Sequence, residues 1–264
     1  MLLKGRFEVG ESLSSRTRVA IDRRTGKKVV VKELSLQQLS SWEGLERFEA
    51  EAKTLESVRH PSIPFFVTSF VLDEESPDPR FFLVREFING TPLGALVGQR
   101  LPQDRIDGLT RTLLASLGEI HNLTPPLIHG DLRPDRILET TSGRLIFVGF
   151  GFSSAVHSED YSGFLAPERI ANPATIQSDL YSVGAILWTL SSGEPPEQLH
   201  HRQGKPELDP NLPTGFQRLL DRLLALEPTD RPATAEAALE IFETPMALSF
   251  PREQALAHPR RAPV

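Results

Sequence analysis

The sequence predicts an α+β chain of two lobes, a small β-rich lobe holding one main helix and a larger α-helical lobe. Three patterns predict it. The first 90 residues carry short runs in which apolar and polar side chains alternate, the period of a half-buried strand. One helical stripe, from Trp42 to Val58, interrupts those runs. After Gly90 the apolar residues recur at spacings of three and four, which puts them on one face of a helix.

In chain order, Arg16 to Asp22 (RTRVAID) and Lys27 to Leu34 (KKVVVKEL) read as strands joined by the turn Arg23-Arg24-Thr25-Gly26, a hairpin. Leu45, Phe48, Ala52, Leu55 and Val58 share one face of the helix that follows. His60 to Pro64 (HPSIP) ends that helix, because proline disfavours helical geometry in the residue before it. Two more strand-like runs, FFVTSFVL and FFLVREFI, flank a polar loop over Asp73 to Arg80. Ile106, Leu109, Leu113, Leu114, Leu117 and Ile120 then form a core-facing stripe, and later helices are expected over Ser178 to Leu190, Gly215 to Leu226 and Thr234 to Phe242. No internal repeat is visible. Residues 244–264 hold proline and arginine without periodicity and are expected to be a tail.

Bulk composition narrows the function. A net charge of −6 lacks the basic excess of a nucleic-acid binder or of a protein held on an acidic membrane, so neither partner is expected. With no cysteine, disulfides, thiolate metal sites and thiol nucleophiles are excluded. The N-terminal MLLKGRFEVGES has no apolar signal region, and no window reaches the roughly 18 apolar residues of a membrane span. A cytoplasmic location is the expectation.

Chemistry-bearing residues cluster in LIHGDLRPDRIL, Leu127 to Leu138. Around it stand Val30-Val31-Lys32 on a strand, Glu51 on the following helix, Gly149-Phe150-Gly151, Ala166-Pro167-Glu168, the segment SDLYSVGAILW with Asp179, and DRPATAEAAL with Arg231. This ordered set resembles the eukaryotic-like (Hanks-type) Ser/Thr protein kinases over residues 6 to 243; any single motif would be weak. The resemblance implies a protein-kinase-like domain over 1–243, with a small lobe about 1–86, a hinge about 87–91 and a large lobe about 92–243. It gives Lys32 the phosphate-directed lysine role, Glu51 the glutamate that holds it, and Asp131 the carboxylate that positions the attacking hydroxyl. Gly10, Val30, Lys32, Glu86 and Leu138 fall at its nucleotide-binding positions. Leu55, Phe66, His129 and Phe150 fall where the family stacks side chains across the lobes above Asp179, and Arg231 where an arginine pairs with the Ala-Pro-Glu glutamate.

The departures from the family pattern bear most on function. Its two magnesium ligands, an Asp and an Asn, are replaced by Gly149 and Arg136. Magnesium is a hard ion that requires oxygen donors, and a guanidinium both lacks them and repels it. No metal site is therefore expected, and losing several kcal/mol of metal stabilisation predicts a rate lower by about a thousandfold or more. The glycine loop over the phosphates keeps Gly10, while Ser12 and Ser15 replace the other two glycines. Arg85 falls where the family places the residue at the back of the adenine pocket; a charge there must find a partner, with Glu51 a candidate, or point elsewhere. Gly130 replaces the arginine that reads an activation-segment phosphate, and Tyr161 stands where a substrate-loop threonine is usual. Ser153, Ser154, Ser158, Tyr161 and Ser162 are loop hydroxyls open to modification.

The reading that follows is a pseudokinase, a binding or allosteric module with a protein partner and with no cofactor beyond metal-free ATP. A weakly active or metal-independent Ser/Thr kinase, with Arg136 supplying charge that magnesium would bring, is the alternative. A small-molecule phosphotransferase, suggested by His-Gly-Asp, is a second alternative; Ala166-Pro167-Glu168 and the Ser178 to Trp188 segment count against it.

Overall fold

A computed structural model describes residues 1–38, 42–150 and 163–244. The loop hydroxyls Ser153, Ser154, Ser158, Tyr161 and Ser162, the glycine Gly151 and the tail over 245–264 lie outside the described residues. Within them the β-rich region is one antiparallel sheet of six strands. These are β1 (Leu2–Leu3), β2 (Phe7–Ser14), β3 (Thr17–Asp22), β4 (Lys27–Ser35), β5 (Phe66–Leu72) and β6 (Arg80–Glu86), in the order β1-β2-β3-β4-β6-β5. Alternation decides which residues reach the site. On β4, Val29 and Val31 join Phe7, Ala20, Phe82 and Val84 in a core on one face of the sheet. Leu34 faces the opposite way and joins Phe48 and Leu55 of the helix α1 (Glu43–Ser57), as period two requires of every other strand residue. The register sets Lys32 opposite Leu83 and Val30 opposite Arg85.

The second core is built on four helices: α2 (Gln103–His121), α3 (Ile176–Ser192), α4 (Thr214–Leu223) and α5 (Ala235–Glu243). Leu34, Phe48, Leu55 and Leu83 from the sheet side belong to the same apolar cluster as Leu113, Ile186 and Leu220, so one core runs through both lobes. α3 is buried from Ser178 to Ser191, which is why its sequence is apolar all round rather than striped. It begins at Ile176, two residues before the expected start, because Thr175 caps it: the Ser178 amide donates to the Thr175 hydroxyl at 3.2 Å, and the Thr175 amide donates to the Ser178 hydroxyl at 2.9 Å. α4 ends at Leu223, short of the expected Leu226. The carbonyls of Ala225 and Leu226 instead accept from the buried Arg231 guanidinium at 2.8 and 2.9 Å, so those residues have left the helix.

Short strands frame the segment that holds Asp131. β7 (Gly90–Pro92), β8 (Ile137–Thr140) and β9 (Leu145–Phe147) pair in the order β7-β8-β9, and a two-strand hairpin, β10 (His201–Arg202) with β11 (Lys205–Pro206), lies near α4. No sequence pattern announces strands of two or three residues. Among the described residues no helix is long and apolar enough to cross a membrane.

Candidate functional site

Lys32 and Glu51 come together from β4 and α1, the lysine Nζ 2.5 Å from the glutamate Oε2. Glu51 is 4% exposed. A strand fixes the direction of Lys32, and a helix turned toward the sheet brings Glu51 to it. Phe48, one helical turn earlier, lies under the ammonium with its ring centre at 5.8 Å.

The loop from Leu127 to Arg133 is anchored on Asp179 of α3. That buried carboxylate accepts the amides of His129 and Gly130, each at 2.8 Å, and lies 3.0 Å from His121 Nε2. Burial lowers the His129 pKa to about 4 against the pull of Asp179, so the ring is neutral at pH 7. Its Nε2 lies 3.1 Å from the Val148 carbonyl and must carry the proton, leaving Nδ1 to accept the Asp131 amide at 3.3 Å. The ring of Phe150 stacks at 4.5 Å between centres. Leu55 is buried and Phe66 half-buried in the core that reaches this stack. Gly130 has φ +78°, a left-handed conformation that glycine adopts without cost.

Next to this anchor the electrostatics are unusual. Asp131 is 4% exposed, and burial raises its pKa while Arg136, Arg133, Arg47 and Arg169 oppose the rise. Arg136 Nη1 is 2.6 Å from Asp131 Oδ2 and also donates to the Gly149 carbonyl at 3.1 Å. Arg133 Nε is 3.9 Å from the other Asp131 oxygen. Burial lowers the Arg136 pKa and Asp131 supports it, but a guanidinium keeps its charge under any such shift.

Gly149 has φ +83°, and a Cβ added there would lie 3.1 Å from Arg136 Nη1 and 3.2 Å from its Cδ. The arginine thus covers the space above residue 149. Magnesium does not fit this set: the two family ligand positions offer a hydrogen and a cation, Glu51 is engaged by Lys32, and Asp131 by Arg136. Among the described residues no group of three His, Asp or Glu side chains is arranged to hold a metal.

A cavity of about 440 Å³ opens over these residues. Lys32, Glu51, Arg136 and Gly149 line it together with Ser14, Ser15 and Arg16 of the β2–β3 turn, Arg47 of α1 and Arg133. Arg16, Arg47 and Arg133 were not singled out from the sequence. Their signal was present in an arginine beside Ser15 and another beside Pro134, but only folding brings them into one cavity.

The other nucleotide positions do not line that cavity. Gly10 is exposed on β2, Val30 is buried in β4 and Leu138 is half-buried on β8. The Glu86 carboxylate turns away to accept the Phe65 amide at 3.2 Å. Arg85, half-buried, donates to the Glu86 carbonyl at 3.2 Å. Glu51 makes its close ion pair with Lys32, and burial lowers the Arg85 pKa while the charges of Glu51 and Glu86 oppose the shift.

Two further contacts tie the C-terminal end of the activation segment to the large lobe. Arg231, its side chain fully buried, donates to both Glu168 oxygens at 2.6 and 2.9 Å and lies over the Tyr181 ring. Arg169, 1% exposed, donates to the Asn172 carbonyl at 2.5 Å and reaches the Gly130 carbonyl at 3.4 Å. A guanidinium therefore stands beside Gly130 although residue 130 has no side chain.

Residues 6–243 match the family model of the protein kinase domain. The chain is 30% identical over 235 residues to the serine/threonine-protein kinase PknA of Mycobacterium tuberculosis, a match covering 80% of this chain and 54% of that protein. It is 30% identical over 193 residues to the serine/threonine-protein kinase PknG of Mycolicibacterium smegmatis, covering 71% of this chain and 25% of that protein. It is 28% identical over 280 residues to the serine/threonine-protein kinase C of a Synechocystis strain, covering 92% and 50%. The chain spans about half the length of PknA and of the Synechocystis kinase. A sheet carrying a lysine–glutamate pair, a catalytic loop hung on a helix-borne aspartate and a match along nearly the whole chain converge: this chain belongs to the protein kinase domain family, among relatives of the Ser/Thr class.

Proposed function

We propose that this domain is a pseudokinase: it does not transfer phosphoryl groups from magnesium-ATP and serves as a binding or allosteric module for a protein partner. The observation that carries the reading is the 2.6 Å contact of Arg136 with Asp131. The carboxylate that would receive the substrate hydroxyl is occupied by the side chain standing where a metal ligand is needed, and the second ligand position is Gly149. Phosphoryl transfer depends on neutralising charge between the transferred group and its leaving oxygens. Without the divalent ion the expected loss is about a thousandfold or more.

The retained parts support a module. One apolar core runs through both lobes and the Phe147 amide of the large lobe donates to the Ser62 carbonyl of the small lobe at 2.8 Å, so a partner bound to one lobe has a route to bias the other. The acidic net charge favours a protein partner over nucleic acid. A cytoplasmic location is part of the proposal.

The intact Lys32–Glu51 pair, and relatives bearing the name of Ser/Thr kinases, favour one second reading: a weak Ser/Thr kinase in which Arg136 supplies the missing charge. Labelled-ATP incorporation into the protein and into a generic basic peptide, with magnesium, manganese or EDTA, decides between them. The expected result is incorporation equal to that of Asp131→Ala under all three conditions. Incorporation that Asp131→Ala abolishes overturns the pseudokinase reading.

A further inference from the structure

The outer face of the sheet, which strand alternation turns away from Lys32, carries a groove that the cleft between the lobes does not share. At its hinge end a cavity of about 510 Å³ has Arg24, Lys27, Lys28, Val29, Phe65 and Val67 in its wall. A neighbouring cavity of about 260 Å³ is walled by Val58, Arg59, Ile63, Ile88, Arg144 and Ile146, and the two have Phe65 and Glu86 in common. Phe65 stands between them, 52% exposed, with the Arg59 guanidinium 4.3 Å from its ring centre. The smaller cavity is built from both lobes, since Val58 and Ile63 belong to the small lobe and Arg144 and Ile146 to the β8–β9 hairpin of the large one.

The charges of this groove are not balanced from within. Arg6, also in the larger wall, donates to both Asp22 oxygens at 2.8 and 2.7 Å, and His60 of the smaller wall lies 3.4 Å from Glu119. The Glu86 carboxylate accepts the Phe65 amide at 3.2 Å. Arg24, Lys27, Lys28, Arg59 and Arg144 make no ion pair among the described residues. An apolar floor of Val29, Val67, Ile63 and Ile146 is thus edged by cations, on a chain whose net charge is −6. Such a surface answers a ligand that brings carboxylates and apolar side chains together. A long polyanion meets the acidic remainder of the molecule, whereas a short acidic segment keeps its charge within the groove.

We infer that this groove behind the hinge docks an acidic segment of a partner protein, one in which carboxylates alternate with Leu or Phe side chains seated on either side of Phe65. An occupant of the smaller cavity touches both lobes at once and so biases how they sit. The inference names the class of partner for the proposed module and rests on that reading for its role. Its chemistry rests on the groove alone.

Fluorescence-anisotropy titration of the whole chain is the test, with a fluorescein-labelled peptide of three Glu-Glu-Leu-Phe repeats as the probe. Saturable binding is expected, and a polyglutamate peptide of equal length should bind weaker by about tenfold or more, because it leaves the apolar floor unfilled. Lys27→Glu combined with Lys28→Glu should weaken the probe by about tenfold or more, whereas Arg202→Glu with Lys205→Glu on the β10–β11 hairpin, the same change in net charge, should leave it unchanged. Phe65→Ser should weaken it without any change of charge. Lys27, Lys28 and Phe65 are exposed, so these variants keep the core, and Arg144→Glu repeats the test from the large-lobe wall. Absence of saturable binding, equal binding of polyglutamate or of an oligothymidylate of equal length, or a loss in the hairpin variant as large as in the Lys27 and Lys28 variant overturns the inference. A null titration with background phosphoryl transfer removes the groove and leaves the proposed function standing. Metal-dependent transfer removes the proposed function, while the titration still judges the groove.

Discussion

Arg136 covers the backbone of Gly149 so closely that a Cβ at residue 149 would stand 3.1 Å from its guanidinium nitrogen. The two departures from the family's metal ligands are therefore one packing arrangement. A side chain at 149 needs the arginine to move, and the arginine needs residue 149 to remain bare.

The first prediction is non-additivity. Gly149→Asp alone should destabilise by about 1–2 kcal/mol, from the left-handed φ and the encounter with Arg136. Arg136→Asn alone should destabilise by removing the close partner of a buried Asp131. The double variant should be more stable than the sum of the singles by about 0.5–3 kcal/mol in urea unfolding. If the double variant also gains a magnesium-dependent rise in melting temperature with ATP, the missing ligands account for the missing metal. Strict additivity would mean that the two positions do not share space.

A second prediction concerns the fully buried guanidinium of Arg231, held by Glu168. Glu168→Ala leaves that charge with carbonyl acceptors only and should cost about 3–5 kcal/mol. Chemical denaturation measures it, and a cost below about 1 kcal/mol would show that the carbonyls of Gln177, Ala225 and Leu226 suffice.

His129 makes stability depend on pH in a defined window. Its folded pKa is about 4 and its ordinary value 6.5, so between these the unfolded chain binds a proton that the folded chain refuses. The stabilisation is full above pH 6.5, falls as pH is lowered, and levels off near pH 4, a change of about 3 kcal/mol from this group. His129→Phe should flatten the unfolding free energy across that window while lowering it at pH 7 through loss of the Val148 bond. An unchanged slope would assign the acid sensitivity to other groups.

Gly130 supplies a fourth test. Its φ of +78° costs an L-residue about 1–2 kcal/mol, so Gly130→Ala should destabilise by that amount. Gly130→Arg, which restores the family's residue type, should not be more stable than Gly130→Ala, because Arg169 already places a guanidinium beside the residue 130 carbonyl. Recovery of stability in Gly130→Arg would show that the site still accepts the family's arginine.

Much of the fold was legible in the sequence because its main elements carry periodic apolar patterns. Leu45, Phe48, Ala52, Leu55 and Val58 revealed α1 for the same reason that they pack: every third or fourth side chain faces the sheet. Helix ends were less legible. α4 ends at Leu223, and the carbonyls of Ala225 and Leu226 accept from Arg231 six and five residues on, while Thr175 starts α3 early through a cap. Strands as short as β7 and β9 have too few residues to show a period.

By itself the sequence determined that positions 149 and 136 carry no side-chain oxygen donor, since one is a glycine and the other an arginine. It also determined the order of the main helices and of the longer strands from Thr17 onward, which follows from patterns local to each segment. Only the tertiary structure decided what surrounds those positions: Arg136 on Asp131 and on the Gly149 carbonyl, and the cations of Arg16, Lys32, Arg47, Arg133 and Arg136 around one cavity. Hydrophobic periodicity is a property of neighbours along the chain. Charge complementarity is a property of neighbours in space, set by long-range packing of turn, strand, helix and loop, and a linear pattern does not encode it.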